Sequence, residues 1–297
     1  MSTTPSSPNV SEPSESHLEI KMGLEVRSLG IPPRPMVLQH INEEMLRPEP
    51  DFTALAEIIA QDVALSAGIV KVANSSYFGF SKAVRSVQEA LLVLGLNTIT
   101  HAIAGMELQK AFQNVGRLER FWDSSAVTAH MSAWIAQRIN SRFVRPVDAY
   151  TFGLFHDCGI PLLLAPFKEY VSVLEKANSE DKELFTDVED HYLSINHAAI
   201  GAQLAKEWLL PMEIAEAILH HHNPHALMGE CGITERSRHS IAIAQMAEHF
   251  HNHHTGLSKS CEWEKLGGLC LKLMGISPEL LEDLYRESAE VIFRKAI

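Results

Sequence analysis

The chain has 297 residues, of which 46% are hydrophobic and 21% are charged, and its formal net charge is -12 at pH 7. This length is enough to bury a large core and predicts two domains or lobes. The negative charge argues against attraction of the whole chain to nucleic acid or to an anionic membrane surface. Neither a signal peptide nor an apolar run of membrane-spanning length is evident, so no membrane association is expected.

The cysteines bear on the cellular compartment. Cys158, Cys231, Cys261 and Cys270 include no C-x-x-C pair. That usage predicts free thiols in a reducing cytoplasm. The chain also has 16 histidines, which exceeds ordinary usage. Two interpretations stay open for them: a chemical site, or exposed histidines on helices.

The first predicted segment is a disordered tail over residues 1–17. Eleven of its first sixteen residues are Ser, Thr or Pro. Such a composition offers too little apolar surface to offset the entropy that folding would cost.

Helical patterns follow the tail. Phe52, Leu55 and Ile59 fall on one face of a predicted helix. Ser86 and Glu89 have the spacing of a capping box in front of an apolar run. No stretch alternates polar and apolar residues between hairpin turns, as strands would. The sequence therefore predicts an all-α protein with roughly a dozen helices. Gly95 and Gly105 are predicted to permit close packing between helices.

A polar stretch that contains a glycine, "QNVGRLER", interrupts the helical patterns between residues 113 and 120. It predicts a boundary between an N-terminal helical lobe at 18–118 and a second helical lobe at 119–297.

The second lobe holds candidate metal ligands. His156 and Asp157 lie side by side within an apolar run, His197 begins a predicted helix, and His221 and His222 end another. Imidazoles combined with a carboxylate suit Zn, Fe, Mn or Ni. Each of these histidines taken alone is more typical of an ordinary helix end than of a metal site. The order of the three motifs along the chain, each at a helix end, favours a shared site.

That order is where the chain resembles the HDOD family, a regulatory offshoot of the HD-domain metal-dependent phosphohydrolases. The similarity rests on "IIAQDVALSAGIVKVANSSYFGF", "SVQEALLVLGLNTI", "FWDSSAVTAH", "GLFHDCGI", "NHAAIGAQLAKEWLLP" and "AILHHHNP", in that order. The resemblance implies two helical lobes, of which the C-terminal one is HD-domain-like. It also implies a role in bacterial cytoplasmic signal transduction.

The resemblance further implies a set of metal ligands: His156, Asp157, His197, His221, His222 and Glu248. Three positions depart from the active phosphohydrolases. Ser124 stands where they place a histidine, Glu248 replaces a late aspartate, and Ile160 replaces a lysine. His101 and His130 lie near enough in sequence to substitute for the missing histidine. The departures predict a degenerate site that binds metal weakly or with partial occupancy.

Two functions follow from this pattern. The first is a regulatory module, not an enzyme, which acts by binding a small ligand or a signalling protein. The second is a metal-dependent phosphohydrolase acting on a nucleotide or cyclic dinucleotide. No cofactor is required by the first function, although a single divalent transition metal (Fe, Mn, Zn or Ni) fits the retained ligands. The net charge disfavours a third class, the nucleic-acid-binding regulators.

The stretch "ANSSYFGF" contains Asn74, Tyr77, Phe78 and Gly79. One interpretation is structural, because Asn74 suits a helix end and Gly79 suits a turn, which leaves the aromatic rings to plug the space between the lobes. The other is that these four residues form part of a ligand or partner surface.

Overall fold

The computed structural model describes residues 31–74, 82–112, 118–164, 166–256 and 259–293. These residues contain sixteen helices and no strand, which confirms the all-α prediction. The number exceeds the predicted dozen partly because two helices are only five residues long. The tail at residues 1–17 lies outside the described residues.

The helices follow one another along the chain. They are α1 (Met36–Met45), α2 (Phe52–Ala60), α3 (Val63–Ala73), α4 (Val87–Leu94), α5 (Leu96–Ala111), α6 (Glu119–Arg138), α7 (Pro146–Phe155), α8 (Ile160–Leu164), α9 (Tyr170–Ser179), α10 (Phe185–Leu193), α11 (His197–Glu207), α12 (Met212–His220), α13 (Pro224–Met228), α14 (Glu235–Thr255), α15 (Glu262–Met274) and α16 (Pro278–Phe293).

Side-chain caps fix several helix starts. Asp62 accepts hydrogen bonds from two backbone N–H groups in the first turn of α3. At α4, the Ser86 hydroxyl accepts from the Glu89 N–H at 3.1 Å. The Glu89 carboxylate reaches back to the N–H of Arg85 at 2.7 Å, one residue earlier than a standard capping box requires.

The predicted boundary does not divide the core. One hydrophobic cluster includes Leu91 and Ile103 from the N-terminal helices as well as Phe155 and Ile218 from the second half. A second, smaller cluster lies where α6, α14 and α16 meet. The division into lobes at residue 118 therefore stays a prediction, while the two parts share apolar packing.

Gly105 allows α5 and α7 to approach each other, as predicted. A Cβ atom at this position would lie 2.3 Å from Cδ2 of Leu154. Gly95 is different, since an added Cβ there would meet nothing within 4 Å. Gly95 instead lies in the turn between α4 and α5 with a φ of +76°, a backbone conformation that glycine adopts readily. The prediction of close packing is therefore wrong for this glycine.

Asn74 closes the end of α3. Its Nδ2 donates to the carbonyls of Val70 at 2.9 Å and Val84 at 2.7 Å, and its Oδ1 accepts from the Val84 N–H at 2.8 Å. These bonds give Asn74 a structural role at the end of the helix. Tyr77, Phe78 and Gly79 lie outside the described residues, so the ligand or partner surface stays a prediction.

Replacing Asn74 by alanine should therefore lower the free energy of unfolding by about 1–3 kcal/mol, because three hydrogen bonds are lost and backbone groups of Val84 are left without partners. Urea unfolding measures this change. Gln39→Ala is the control, since Gln39 is exposed and, among the described residues, its side chain bonds only to Glu43 one turn away. It should cost below about 0.5 kcal/mol. An equally small cost for Asn74→Ala would contradict the structural role.

No single helix in the described ranges has both the length and the apolarity to cross a membrane, although α2 and α3, bent by 120° relative to each other, meet those criteria as a pair. The four cysteines are free thiols.

Candidate metal centre

The predicted ligands converge because five of them lie at helix ends and the sixth lies on a helix that borders the same space. His156 and Asp157 directly follow α7. His197 is the first residue of α11, where the Asn196 side chain caps the helix by accepting from the Ala199 N–H at 2.8 Å. His221 and His222 follow α12 and Glu248 lies within α14, so the structure brings all six residues together.

Asp157 is the centre of this arrangement. Its Oδ2 lies 3.2 Å from Nε2 of His156, and its Oδ1 lies 3.4 Å from Nε2 of both His197 and His221. On the far side, Nε2 of His156 lies 3.1 Å from a carboxylate oxygen of Glu248. One carboxylate thus joins two groups of metal-ligating side chains.

The two groups differ in size. The first contains Asp157, His197, His221 and His222, and it offers four ligand atoms that all lie within 4.8 Å of one another. The second contains only His156, Asp157 and Glu248. Three of the four residues in the first group are imidazoles, so this group has the donor chemistry of a transition-metal site.

The four imidazoles of His156, His197, His221 and His222 are all held by a contact at the same ring nitrogen, Nδ1. Each Nδ1 faces an oxygen that can only accept, so Nδ1 carries the hydrogen and Nε2 faces the cluster. The acceptors are the Gly153 carbonyl for His156 at 2.9 Å, the Glu189 carboxylate for His197 at 2.7 Å, the Ile218 carbonyl for His221 at 2.7 Å, and the Glu262 carboxylate for His222 at 2.5 Å.

The distances between the Nε2 atoms show whether a metal ion fits the first group. Nε2 of His197 lies 3.1 Å from Nε2 of His221 and 3.2 Å from Nε2 of His222. Three ring nitrogens that converge so closely would repel one another through their lone pairs unless a proton or a cation lies between them. The first group therefore fits a single metal ion.

Two carboxylates that the sequence reasoning missed support these imidazoles. Glu189 is fully buried, and it accepts from the Tyr170 hydroxyl at 2.5 Å as well as from the backbone N–H of His197 at 3.2 Å. Glu262 supports His222 and forms an ion pair with Lys265 at 2.5 Å. Carboxylates in this outer position fix the orientation of a histidine ligand and raise its basicity.

The charges of the cluster follow from these contacts. Burial lowers the pKa of His197, but Glu189 and Asp157 more than reverse that effect and raise it to about 10. Burial and the neighbouring His222 lower the pKa of His221 to about 3. Burial raises the pKa of Asp157, and the surrounding histidines outweigh this and hold it well below its usual range. A proton and a metal ion thus compete for Nε2 of His197.

Ser124 and Ile160, two of the departures from the active phosphohydrolases, remain visible in the structure. The hydroxyl of Ser124 lies 3.4 Å from Nδ1 of His251, a residue on α14 that sequence reasoning also missed. Ile160 begins α8 and supplies no cation. Neither His101 nor His130 joins the two ligand groups among the described residues.

The helical architecture and this cluster define a class: an all-α protein with a buried histidine and carboxylate centre built around an His-Asp pair. A family model of the HDOD domain matches residues 31–224. The chain belongs to the HDOD domain family.

One related sequence is an uncharacterised protein of Treponema pallidum (strain Nichols), which is 28% identical over 199 residues. The match covers 66% of this chain but 38% of that protein, so the chain matches well under half the length of this relative.

Several solved structures share the fold. An HDOD domain protein with unknown function from Geobacter sulfurreducens has 23% identity and a TM-score of 0.65, with 94% of this chain and 97% of that chain covered. A candidate phosphohydrolase from Shewanella amazonensis SB2B has 20% identity and a TM-score of 0.64, with coverages of 91% and 93%. A candidate signal transduction protein from Marinobacter aquaeolei VT8 has 22% identity and a TM-score of 0.63, with coverages of 91% and 60%.

Proposed function

We propose that this protein is a cytoplasmic signal-transduction module that holds one divalent transition metal ion and acts by binding a small ligand or a signalling protein. The observation that carries the proposal is the unequal state of the two ligand groups. The first group has four ligand residues and aligned imidazoles, whereas the second has three residues and a serine at the position of the missing histidine. This asymmetry favours one firmly held ion over the weak, partial occupancy that the sequence predicts.

Asp157, His197, His221 and His222 would hold the ion, which would be Fe, Mn, Zn or Ni given three imidazoles and one carboxylate. A bound ion of this kind supplies Lewis acidity to any molecule that reaches it. The side chains of Asp157 and Glu248 are 23% and 28% exposed, so the cluster opens to solvent on the side of the depleted group. Ser124 supplies no imidazole, and Ile160 supplies no cation to steady a phosphate.

Hydrolysis of a nucleotide or cyclic dinucleotide is the second candidate function. The position of Glu248 favours it, because this carboxylate lies 3.1 Å from His156 and beside the shared Asp157. A carboxylate between two ligand groups is a common feature of two-metal hydrolases. The two candidates differ in the number of ions bound and in turnover.

Metal analysis of the full chain purified without chelator, paired with a phosphodiesterase screen, separates them. We expect about one equivalent of transition metal, because a single group has a complete donor set. We expect no turnover of a nitrophenyl phosphodiester, a linear dinucleotide or a cyclic dinucleotide. His197→Ala should lose the metal, and the exposed variant Glu43→Gln should keep it.

Two equivalents of metal would overturn the proposal if they are accompanied by hydrolysis that disappears in both His156→Ala and Asp157→Ala. That result would establish the phosphohydrolase instead. Protein that binds no transition metal at all would contradict the phosphohydrolase and the one-ion site that we propose for the regulatory module.

A further inference from the structure

A second concave site lies between the N-terminal helices and the half of the chain that carries the metal ligands. It is a cleft of about 300 Å³. One wall comes from α1 and α5 and includes Asn42, Asn97 and His101. The opposite wall includes Arg145, just before α7, and Arg236 on α14. None of these residues belongs to the two metal-ligand groups.

His101 is the most unusual group in this cleft. Its side chain is only 4% exposed, and its Nδ1 has no hydrogen-bond partner among the described residues. Burial lowers the pKa of this imidazole to about 4, so it is neutral at pH 7 and carries one donor and one acceptor nitrogen. A buried polar atom without a partner costs stability, which sets His101 apart from the other residues that line the cleft.

Two guanidinium groups also line the cleft. Arg145 is held by the buried carboxylate of Asp148, which accepts from Nε at 2.8 Å and from Nη2 at 2.7 Å. This fork orients Arg145 and leaves its remaining N–H groups for a second partner. Arg236 makes one longer contact with Glu213, at 3.3 Å, so most of its hydrogen-bonding capacity also remains.

Apolar groups complete the lining. Met45 and Leu209 are 40% and 46% exposed, although both are large hydrophobic side chains. Leu209 directly follows the C-cap of α11, and its φ of +58° belongs to the left-handed turn that ends this helix. The cleft thus combines arginine donors, amides, a neutral imidazole and aliphatic surface.

We propose that this cleft binds a small phosphate ester the size of a mononucleotide. Arginine pairs are well suited to phosphate, because a guanidinium donates two parallel hydrogen bonds to its oxygens. The amides, His101 and the exposed aliphatic side chains suit a polar heterocycle. Asp148 and Glu213 offset the two positive charges, which favours a monoester over a polyphosphate. The volume of about 300 Å³ is at the lower end of the range for ligand sites.

The position of the cleft suits a regulatory site, because the cleft and the metal ligands lie at opposite ends of the same helices. Helix α7 carries Asp148 in its first turn and His156 directly after its last, and α12 carries Glu213 and is followed by His221. Eight residues separate each pair, which corresponds to about 12 Å along a helix. A ligand in the cleft therefore contacts the opposite ends of helices that position the metal ligands. Binding in the cleft does not depend on the proposed metal ion.

Calorimetric titration of the full chain with AMP, GMP and adenosine tests the proposal, with and without EDTA. We expect saturable binding of AMP or GMP, with about one nucleotide per chain, much weaker binding of adenosine, and no loss of binding in EDTA. Arg236→Gln should weaken nucleotide binding by about tenfold or more, because a charge-assisted hydrogen bond is lost. Arg236 is half exposed and makes one long contact, so this variant should still fold.

Arg138→Gln is the matched control. Arg138 forms a two-point ion pair with Glu287 on the surface and lies outside the cleft, so affinity should be unchanged. Asn97→Asp is a second variant, which places a negative charge at an exposed position in the cleft and should also weaken binding. Affinity that is equal in wild type, Arg236→Gln and Asn97→Asp would overturn the proposal. So would the absence of saturable binding, equal affinity for adenosine and AMP, or binding abolished by EDTA, which would place the phosphate at the metal centre.

Discussion

Gly159→Ala should lower the free energy of unfolding by about 3 kcal/mol or more. It should also move His197 away from Asp157 in the candidate metal centre. Gly159 follows the His-Asp pair by two residues and packs against the first turn of α11. A Cβ atom there would lie 2.0 Å from the carbonyl oxygen of His197 and 2.6 Å from a methyl carbon of Ile200. The nearer atom belongs to the backbone, so no rotation of a side chain relieves the overlap.

Relief of this overlap should also displace a residue of the candidate metal centre. Moving α11 away from Gly159 also moves His197 away from Asp157, and those side chains now lie 3.4 Å apart. We therefore expect any Gly159→Ala protein that still folds to lose affinity for the metal ion that we propose the site holds. Urea unfolding and metal analysis of the purified variant measure the two effects.

Gly268→Ala is the matched control for this glycine. Gly268 lies within α15, and an added Cβ would meet nothing within 4 Å. Alanine is the better helix former, so this variant should be unchanged or more stable by up to about 1 kcal/mol. If Gly159→Ala is as stable as Gly268→Ala and retains metal, the close approach between Gly159 and α11 is not required by the fold.

Five of the six residues that cluster at the candidate site were predictable, because the sequence signals that mark them are local. His156, Asp157, His197, His221 and His222 occur in short motifs at helix ends, and helix ends can be recognised from caps and apolar periodicity. Glu248 required the family resemblance, because one glutamate in a polar helix carries no distinctive local signal.

The supporting residues were missed because their burial depends on how whole helices rotate and pack. Glu189 occurs in "DVEDH", where no local sequence signal distinguishes it from the neighbouring Asp187 and Asp190. Its face could have been recognised, since it continues the buried positions of Phe185 and Val188 at helical spacing. Glu262 similarly shares a stripe with the buried Leu266 four residues later. Nothing local indicates that Arg145 and His101 line one cleft, because their proximity arises only from the packing of α5 beside α7.

Adding metal to chelator-treated protein should raise the free energy of unfolding. The size of this increase should depend on the group of Asp157, His197, His221 and His222, and hardly on Glu248. A ligand that binds only the folded state at a free concentration of a hundred times its Kd adds about 2.7 kcal/mol to the free energy of unfolding. Mn²⁺ is the preferred probe, because it binds nitrogen and sulfur ligands in unfolded chains more weakly than Zn²⁺ does. Urea unfolding at matched pH, with EDTA or with excess Mn²⁺, measures the difference.

Two variants locate the ion that produces this stabilisation. His222→Ala removes a ligand from the group of four and should abolish most of the increment. Glu248→Ala removes a ligand only from the depleted group, so it should retain nearly all of the increment if a single ion is held by Asp157, His197, His221 and His222. Each variant is compared with its own metal-free protein, which separates metal affinity from the effect of the substitution on the fold. If the increment is lost equally in both variants, the ion lies between the two groups and depends on Glu248 as much as on His222. In that case the centre is a shared site, and the one-ion description of the regulatory module would have to be replaced.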